Sequence, residues 1–406
     1  MPPSPATIEP GGPVGSGERA PALDALRGFA LLGILLVNLR LFSGPWLLAP
    51  NLGPGHPWWD RLATGAVTVL AEGRFYPLFS FLLGYGFTVA YRRAHARGAS
   101  YTGRHLRRSG ALFVLGALHA VLLFSGDILA PYAVLGLALL AAVGWRDSRL
   151  LTLAVWLFAA GSLVYGGILG LAAGFGADPA ELARSAADAQ TYTGGGFGGV
   201  AEIRLRDWGT LLLSLPITGL TIGAAMLLGH WSARRRVLED CGAHAGLHRR
   251  LVAYGLPLGL AGGVVHAVAL SQLSGAGGGA AAVLGATGVL NHVAGGLLTG
   301  AYVGIAGLFF ARHGSSGGSP LQAGGRLALS NYLGQSLVCS LVFAGYGLGL
   351  YGELGPARVV TFGVALWAVQ LGLSAAYVRV FAFGPVEWLL RWVTYRRRPP
   401  LLRSTP

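Results

Sequence analysis

Residues 150–174 read LLTLAVWLFAAGSLVYGGILGLAAG and contain no charged side chain. An α-helix rises about 1.5 Å per residue, so a stretch of this length can cross a bilayer core about 30 Å thick. Similar apolar stretches recur along the whole chain, which predicts an all-α, polytopic membrane bundle of about ten transmembrane helices. The predicted spans are 25–44, 75–91, 109–125, 128–145, 150–174, 208–231, 251–271, 281–311, 327–349 and 359–381.

The overall composition agrees with a lipid environment. Of the 406 residues, 53% are hydrophobic and only 11% are charged, which is far too apolar for an ordinary soluble protein. The net charge of +14 resides in short arginine clusters between the apolar stretches. We therefore expect the bilayer as partner and no nucleic acid, and we leave oligomerisation open.

The arginine clusters also predict the orientation. Cytoplasmic loops of membrane proteins are enriched in basic residues, and the two richest loops here are 92–108 and 234–250. The connections 45–74 and 175–207 carry mixed charge and are then expected to face outward. An even number of spans places both chain ends in the cytoplasm. We expect a multi-pass protein of the inner (cytoplasmic) membrane.

The flanking segments differ in character from the spans. Residues 1–20 are rich in Pro, Gly and Ser and are predicted to form a disordered cytoplasmic tail, while residues 396–406 form a basic one. The segments 57–72 and 385–398 are expected to be interfacial amphipathic helices. The cysteines, Cys241 and Cys339, form no spacing typical of a disulfide framework or metal site, so no metal is expected.

Ionisable side chains inside a bilayer are costly, and each is therefore a candidate functional group. In the first span, Asp24 and Arg27 are three residues apart and can pair on one helix face. Asn38 lies eleven residues after Arg27, which places both on nearly the same stripe. The alternative is purely structural: a terminal ion pair and an asparagine that bonds a neighbouring helix.

A second polar group surrounds the turn between the third and fourth spans. His119 lies in the outer half of the span 109–125, with Asp127 and Tyr132 at the following turn. An imidazole whose tautomer is fixed by a carboxylate is a good general base, so we assign His119 as the base and Asp127 as its orienting partner. Alternatively, His119 is an interhelical hydrogen bonder and Asp127 caps the fourth helix.

Several other spans contribute one or two polar residues each. Asn331 and Gln335 are four apart and share a helix face, close to Ser330, Tyr332 and Ser336. Such residues either bond neighbouring helices or jointly line a cavity. The candidate substrate-binding residues are Asp24, Arg27, Glu72, Arg74, Tyr132, His292, Asn331 and Gln335. The chain has no P-loop, nucleophile elbow, HExxH sequence or dinucleotide fingerprint.

Five segments carry a family resemblance that extends over nearly the whole chain after residue 20. In order, the segments are LDALRGFALLGILLVNL (23–39), GRFYPLFSFLLGYG (73–86), RSGALFVLGALHAVLLFSGDILAPYAVLGL (108–137), GRLALSNYLGQSLVCSLVFAGYGLGLYGEL (325–354) and FGPVEWLLRWVTY (383–395). The sequence resembles the YeiB family, which is built around the domain of unknown function numbered 418. That family in turn is similar to a branch of the transmembrane acyltransferase superfamily.

This second resemblance implies an acyltransferase-like domain over residues 21–395. Superfamily members carry an acyl group from cytoplasmic acyl-CoA to an acceptor across the membrane. Envelope enzymes of the superfamily share an Arg, ten residues and then a His; Arg27 matches, but Asn38 stands where the His would be. The lysosomal heparan-glucosaminide N-acetyltransferase also has Asn there and uses a His in the next lumenal loop, to which His56 is the loose counterpart.

The expected function is acyl transfer from acyl-CoA to the hydroxyl or amine of a glycan, glycoside or small metabolite. His119 or His56 would act as base, and Asn38 would stabilise the developing oxyanion. No tightly bound cofactor is expected, since acyl-CoA is a substrate. The alternative is a transporter or exporter of a small lipophilic or glycosidic molecule, in which the same polar groups bind without reacting.

Overall fold

The computed structural model describes residues 20–44, 56–175, 178–273, 278–314 and 319–403. Within these ranges the protein is built from helices, which confirms the predicted all-α bundle. The helices are α1 (Pro21–Ser43), α2 (Trp58–Leu70), α3 (Phe75–Ala96), α4 (Thr102–Leu122), α5 (Leu129–Ala142), α6 (Asp147–Phe175), α7 (Pro179–Gly194), α8 (Phe197–Leu213), α9 (Leu215–Arg234), α10 (Ala245–Leu273), α11 (Gly278–His313), α12 (Pro320–Arg326), α13 (Ala328–Phe343), α14 (Pro356–Val380) and α15 (Pro385–Tyr395).

The length and apolarity of these helices confirm a multi-pass membrane protein. Six segments of the described chain are long and apolar enough to cross a membrane, or seven if α8 and α9, bent by 65°, form one span. The shorter helices α5 and α13 have 14 and 16 residues. Each predicted span contains one main helix, but length and apolarity do not fix how many of the shorter helices cross the membrane. The count of ten therefore remains a prediction. The stretch 281–311 lies in a single helix, α11.

Helix α1 lies at the centre of the bundle and contacts α3, α11, α12, α13 and α14. It starts with Pro21, whose fixed φ suits the first helical position. A β-carbon at Gly28 would overlap the carbonyl of Leu321, so the backbones of α1 and α12 touch there. Because α12 leads directly into α13, this contact fixes α13 relative to α1.

Helix α15 packs against α4 and α13, in addition to being amphipathic as predicted. The carboxylate of Glu387 accepts hydrogen bonds from the backbone N–H groups of Leu329 (2.7 Å) and Ser330 (3.0 Å). These N–H groups belong to the first turn of α13, which has no partners for them within the helix. A side chain of α15 therefore caps α13.

The end of the described chain folds back onto α14. Arg403 donates from its backbone N–H to the carbonyl of Val380 (3.0 Å), and Ala382 donates to the carbonyl of Leu401 (2.9 Å). Through residue 403, the predicted basic tail therefore lies against the protein. The predicted disordered tail falls outside the described residues, apart from Ala20.

The segments predicted to face outward contain α2, α7 and part of α8. Trp58 and Trp59 on α2 are 64% and 51% exposed, while Asp60 is buried and accepts from the backbone N–H of Ala357 at the start of α14 (2.8 Å). Helix α7 has an N-terminal cap from Asp178 and no buried residue. These features suit solvent-facing or interfacial helices.

Single-cysteine labelling tests the predicted orientation. In intact cells, an impermeant maleimide should label a cysteine at exposed Ala187 on α7, whereas the matched Ser100→Cys variant, in the arginine-rich connection between α3 and α4, should react only after permeabilisation. The native Cys241 and Cys339 are both buried and should give little background. Labelling of Ser100→Cys in intact cells would contradict the orientation.

Candidate functional site

The central feature of the site is a buried chain of three hydrogen-bonded side chains. The imidazole of His119, near the end of α4, has its Nδ1 2.8 Å from Asp127 Oδ1 and its Nε2 2.8 Å from the hydroxyl of Ser336 on α13. All three residues are at most 2% exposed. The structure therefore brings together the predicted base and its predicted partner, and adds a serine from a distant part of the sequence.

The chemistry of the three groups orients these hydrogen bonds. An ionised carboxylate only accepts hydrogen bonds, so the proton shared with Asp127 is carried by His119 Nδ1. In the neutral imidazole, Nε2 is then the acceptor and the Ser336 hydroxyl is the donor. This is the arrangement in which a histidine withdraws a proton from a serine hydroxyl.

The turn between α4 and α5 positions Asp127. Its second carboxylate oxygen accepts a hydrogen bond of 2.8 Å from the backbone N–H of Ala130, in the first turn of α5. A β-carbon at Gly116 on α4 would lie 2.5 Å from this oxygen, so a larger residue there would displace the carboxylate. Asp127 lies one residue before Ile128, the N-cap of α5, and its side chain satisfies a first-turn N–H of α5 as well as binding His119.

A buried arginine that was not among the predicted site residues contacts α13 at Ser340, one helical turn after Ser336. Arg204 on α8 donates to the hydroxyl of Ser340 (2.8 Å), the carbonyl of Leu122 (2.9 Å) and the hydroxyl of Tyr346 (3.1 Å). These acceptors are all uncharged oxygens. In the sequence Arg204 resembles an ordinary member of the mixed-charge outer connection.

A cavity of about 420 Å³ lies between α1, α3, α4, α5, α13 and α15. At one end its wall is formed by the connection between α3 and α4 and by α15, and much of this part is basic. Tyr101 also lines this end; burial raises its pKa to about 12, so its hydroxyl is neutral. The arginines of the wall are Arg27, Arg93, Arg97, Arg104, Arg108, Arg326 and Arg391.

The other end of the cavity is apolar and aromatic and approaches the buried chain. Phe79, Ile128, Tyr132 and Tyr332 line it. The ring of Tyr332 lies 4.9 Å from that of His119, measured between centroids. The Ser336, His119 and Asp127 chain is therefore one aromatic ring away from the cavity.

The predicted residues of the first span lie on α1. Arg27 pairs with Asp24 at 2.9 Å, as the spacing indicated, and both line the cavity. Asn38 is half-buried three turns further along. His56 is about half exposed, with its Nδ1 4.0 Å from Asp60. Within the described part of the chain, no contact joins His56 to His119.

Glu72, Arg74 and His292 do not line this cavity. Glu72 pairs with Arg40 at 2.7 Å, and the fully buried Arg74 donates to Asn291 Oδ1 at 2.7 Å. The Nε2 of His292 lies 3.0 Å from the hydroxyl of Thr221. These contacts join α1 and α11 to the turn between α2 and α3, and α9 to α11.

Asn331 and Gln335 share a helix face, as predicted, and that face contacts α14. Asn331 donates to the hydroxyl of Ser374 (2.9 Å), and Gln335 donates to Gln370 (2.9 Å). This corresponds to the interhelical alternative weighed for these residues. Among the described residues, no group of three His, Cys, Asp or Glu side chains is placed to hold a metal ion.

Known proteins resemble the chain along its full length. It is 31% identical to the uncharacterized protein YxaH of Bacillus subtilis, over 97% of this chain and 98% of that protein. The chain belongs to the YeiB (DUF418) family. It is also 30% identical to the uncharacterized protein YeiB of Escherichia coli, over 96% of this chain and 99% of that protein. No solved structure matches it.

The family model described as "Protein of unknown function (DUF418)" matches residues 232–397 of the chain. In this member of the YeiB family, the matched segment contains Ser336, Tyr332 and α15. His119 and Asp127 lie before it. The candidate site therefore combines the matched segment with the preceding half of the chain.

A double-mutant cycle tests the contact between His119 and Ser336. His119→Ala and Ser336→Ala should each lower the thermal midpoint in detergent, because each leaves a buried polar partner unsatisfied. The double variant should lose less free energy of unfolding than the two single variants together, and the difference, the coupling energy, should be about 0.5–3 kcal/mol. His119→Ala combined with Ser374→Ala, a buried serine bonded to Asn331, should be additive. Additivity of the first pair would contradict the contact.

Proposed function

We propose that this protein is a membrane-embedded acyltransferase that moves an acyl group from acyl-CoA to a hydroxyl or amine of a glycan, glycoside or small metabolite. The observation that carries the proposal is the arginine-lined cavity, whose apolar end stops one ring from a buried serine, histidine and aspartate. The proposal places the protein in the inner membrane, with the arginine-lined end of the cavity in the cytoplasm.

The two ends of the cavity match the two ends of an acyl-CoA molecule. Guanidinium groups pair with phosphate oxygens through two parallel hydrogen bonds, and the arginines of the α3–α4 connection supply such groups. A volume of about 420 Å³ is typical of ligand pockets but accommodates only part of acyl-CoA. We therefore place the nucleotide among the arginines and the pantetheine arm along the apolar wall.

The thioester then arrives near His119. A base that accepts a proton through Nε2 while Nδ1 is held by a carboxylate suits acyl transfer to an alcohol or amine. The superfamily resemblance adds His56 as a competing base, and Asn38 remains the group expected to stabilise the developing oxyanion. The burial of His119 beside a carboxylate favours it over the exposed His56.

Binding of the donor is tested by thermal unfolding of the purified protein with CoA. A ligand that binds the folded state raises the thermal midpoint as its concentration increases. Arg104→Gln combined with Arg108→Gln should weaken the effect of CoA about tenfold or more, because each lost charged hydrogen bond costs about 1.5–3 kcal/mol.

The matched control is Arg249→Gln with Arg250→Gln, two exposed arginines of the other basic connection, which should leave the CoA effect unchanged. Absence of any CoA-dependent rise would argue against an acyl-CoA enzyme and in favour of the transporter.

The catalytic base is tested by release of CoA thiol from acetyl-CoA in the presence of a membrane extract as the source of acceptor. His119→Ala should lower the rate about 10²- to 10⁴-fold while CoA still raises the thermal midpoint. His119→Gln should be nearly as slow, because an amide hydrogen-bonds but does not take up a proton near neutral pH. Full activity of the Gln variant would show that His119 is not the base. Loss of activity only in His56→Ala would assign the base to His56.

A further inference from the structure

The hydroxyl of Ser336 is the atom that His119 Nε2 contacts in the buried chain, at 2.8 Å. We propose that Ser336 is the catalytic nucleophile and carries the acyl group as an ester between donor and acceptor. This inference rests on the proposed acyl-CoA function and specifies its mechanism. It replaces a single direct transfer with two half-reactions.

The three groups come from separate elements that hold them rigidly. His119 belongs to α4, Asp127 to the turn before α5, and Ser336 to α13, whose first turn is capped by Glu387. The carboxylate is itself fixed by the backbone of Ala130. A serine is a weak nucleophile unless a base takes its proton, and a base oriented by a third group is the arrangement that activates it.

Three other threonine–imidazole contacts show what is special about Ser336. Thr88 lies 2.6 Å from His230 Nδ1, Thr221 lies 3.0 Å from His292 Nε2, and Thr287 lies 3.3 Å from His266 Nδ1. Within the described residues, no carboxylate is hydrogen-bonded to any of these imidazoles, and the second ring nitrogen of His230 is buried without a partner. Only the His119 pair has the complete arrangement in that part of the chain.

The position of Ser336 along α13 connects it to the cavity. Tyr332 lies one turn earlier on the same helix face and lines the cavity, so Ser336 lies one helical turn behind the cavity wall. Ser340 lies one turn later and holds the guanidinium of Arg204. This guanidinium, buried in the bundle, favours the negative charge that develops on the acyl oxygen.

In the first half-reaction, Ser336 Oγ attacks the thioester carbonyl carbon while its proton passes to His119 Nε2. The new C–O bond forms, the C–S bond breaks, and the departing CoA sulfur takes the proton from His119. The products are CoA thiol and acyl-Ser336, with His119 neutral again.

In the second half-reaction, the acceptor hydroxyl or amine gives its proton to His119 Nε2 and attacks the carbonyl carbon of acyl-Ser336. The acyl–Oγ bond breaks, and Oγ recovers the proton from His119. The acceptor leaves acylated and the free serine is restored.

The experiment uses full-length protein in detergent with radiolabelled acetyl-CoA and no acceptor. Label should remain on the denatured protein and map to the peptide that contains Ser336. Ser336→Ala should carry none, Ser336→Cys should carry it as a thioester that neutral hydroxylamine removes faster, and His119→Ala should acquire it at least 100-fold more slowly. Ser374→Ala, a buried serine without an imidazole partner, should label like the original protein, and thermal midpoints check that each variant is folded.

A fluorophosphonate provides a second readout that does not depend on the donor, because it phosphonylates activated serines. Its attachment to Ser336, lost in His119→Ala and Ser336→Ala, would support the nucleophile; if acetyl-CoA then gave neither label nor thiol release, the proposed donor would be wrong. Acceptor-dependent thiol release at the full rate in Ser336→Ala would overturn the nucleophile and leave the acyltransferase standing. No label from either reagent together with no thiol release would overturn both.

Discussion

Hydrocarbon offers no hydrogen-bond partners, and this constraint governs where every polar group in the bundle lies. Buried polar side chains are stabilised by partners on another helix or on the backbone, although the second ring nitrogen of His230 has none. Asp127 is the clearest case, because its two oxygens bind different partners, one imidazole and one backbone N–H. Arg204 meets the same demand with three neutral oxygens. The helices are thereby held in one arrangement, and the site inherits its geometry from that arrangement.

The same constraint separates the charged and the apolar side chains of the cavity into two regions. Charged arginines lie at the end of the cavity formed by the α3–α4 connection and α15, while Phe79 and Tyr332 surround the other end. Beyond Tyr332 the buried chain lies in a medium of low dielectric constant, where charges interact far more strongly than in water. Removing water from a reactive acyl group also suppresses its hydrolysis. One cavity thus joins an arginine-lined region with an apolar, aromatic one.

Local sequence distance decided which features could be predicted. His119 and Asp127 are eight residues apart across one tight turn, so their contact followed from the turn itself. Ser336 is 217 residues from His119, and no local pattern distinguishes it from the other polar residues of α13. The shared face of Asn331 and Gln335 was predictable from helical spacing, but its contact with α14 depends on packing. Apolarity identified the long helices α1, α3, α6, α10, α11 and α14 but not α7 or the first part of α8. It also does not determine whether short helices such as α5 cross the membrane.

The capping carboxylate of α15 has a consequence for the behaviour of the molecule as a whole. Glu387 lines the arginine-rich end of the cavity and also holds the first turn of α13, the helix that carries Ser336. A group that competes for Glu387 at that end changes the free energy of the helix start. By thermodynamic reciprocity, a rearrangement of α13 changes the affinity of that end by the same factor. Occupancy of the cavity and the conformation of α13 are thereby linked quantities, joined through a single side chain.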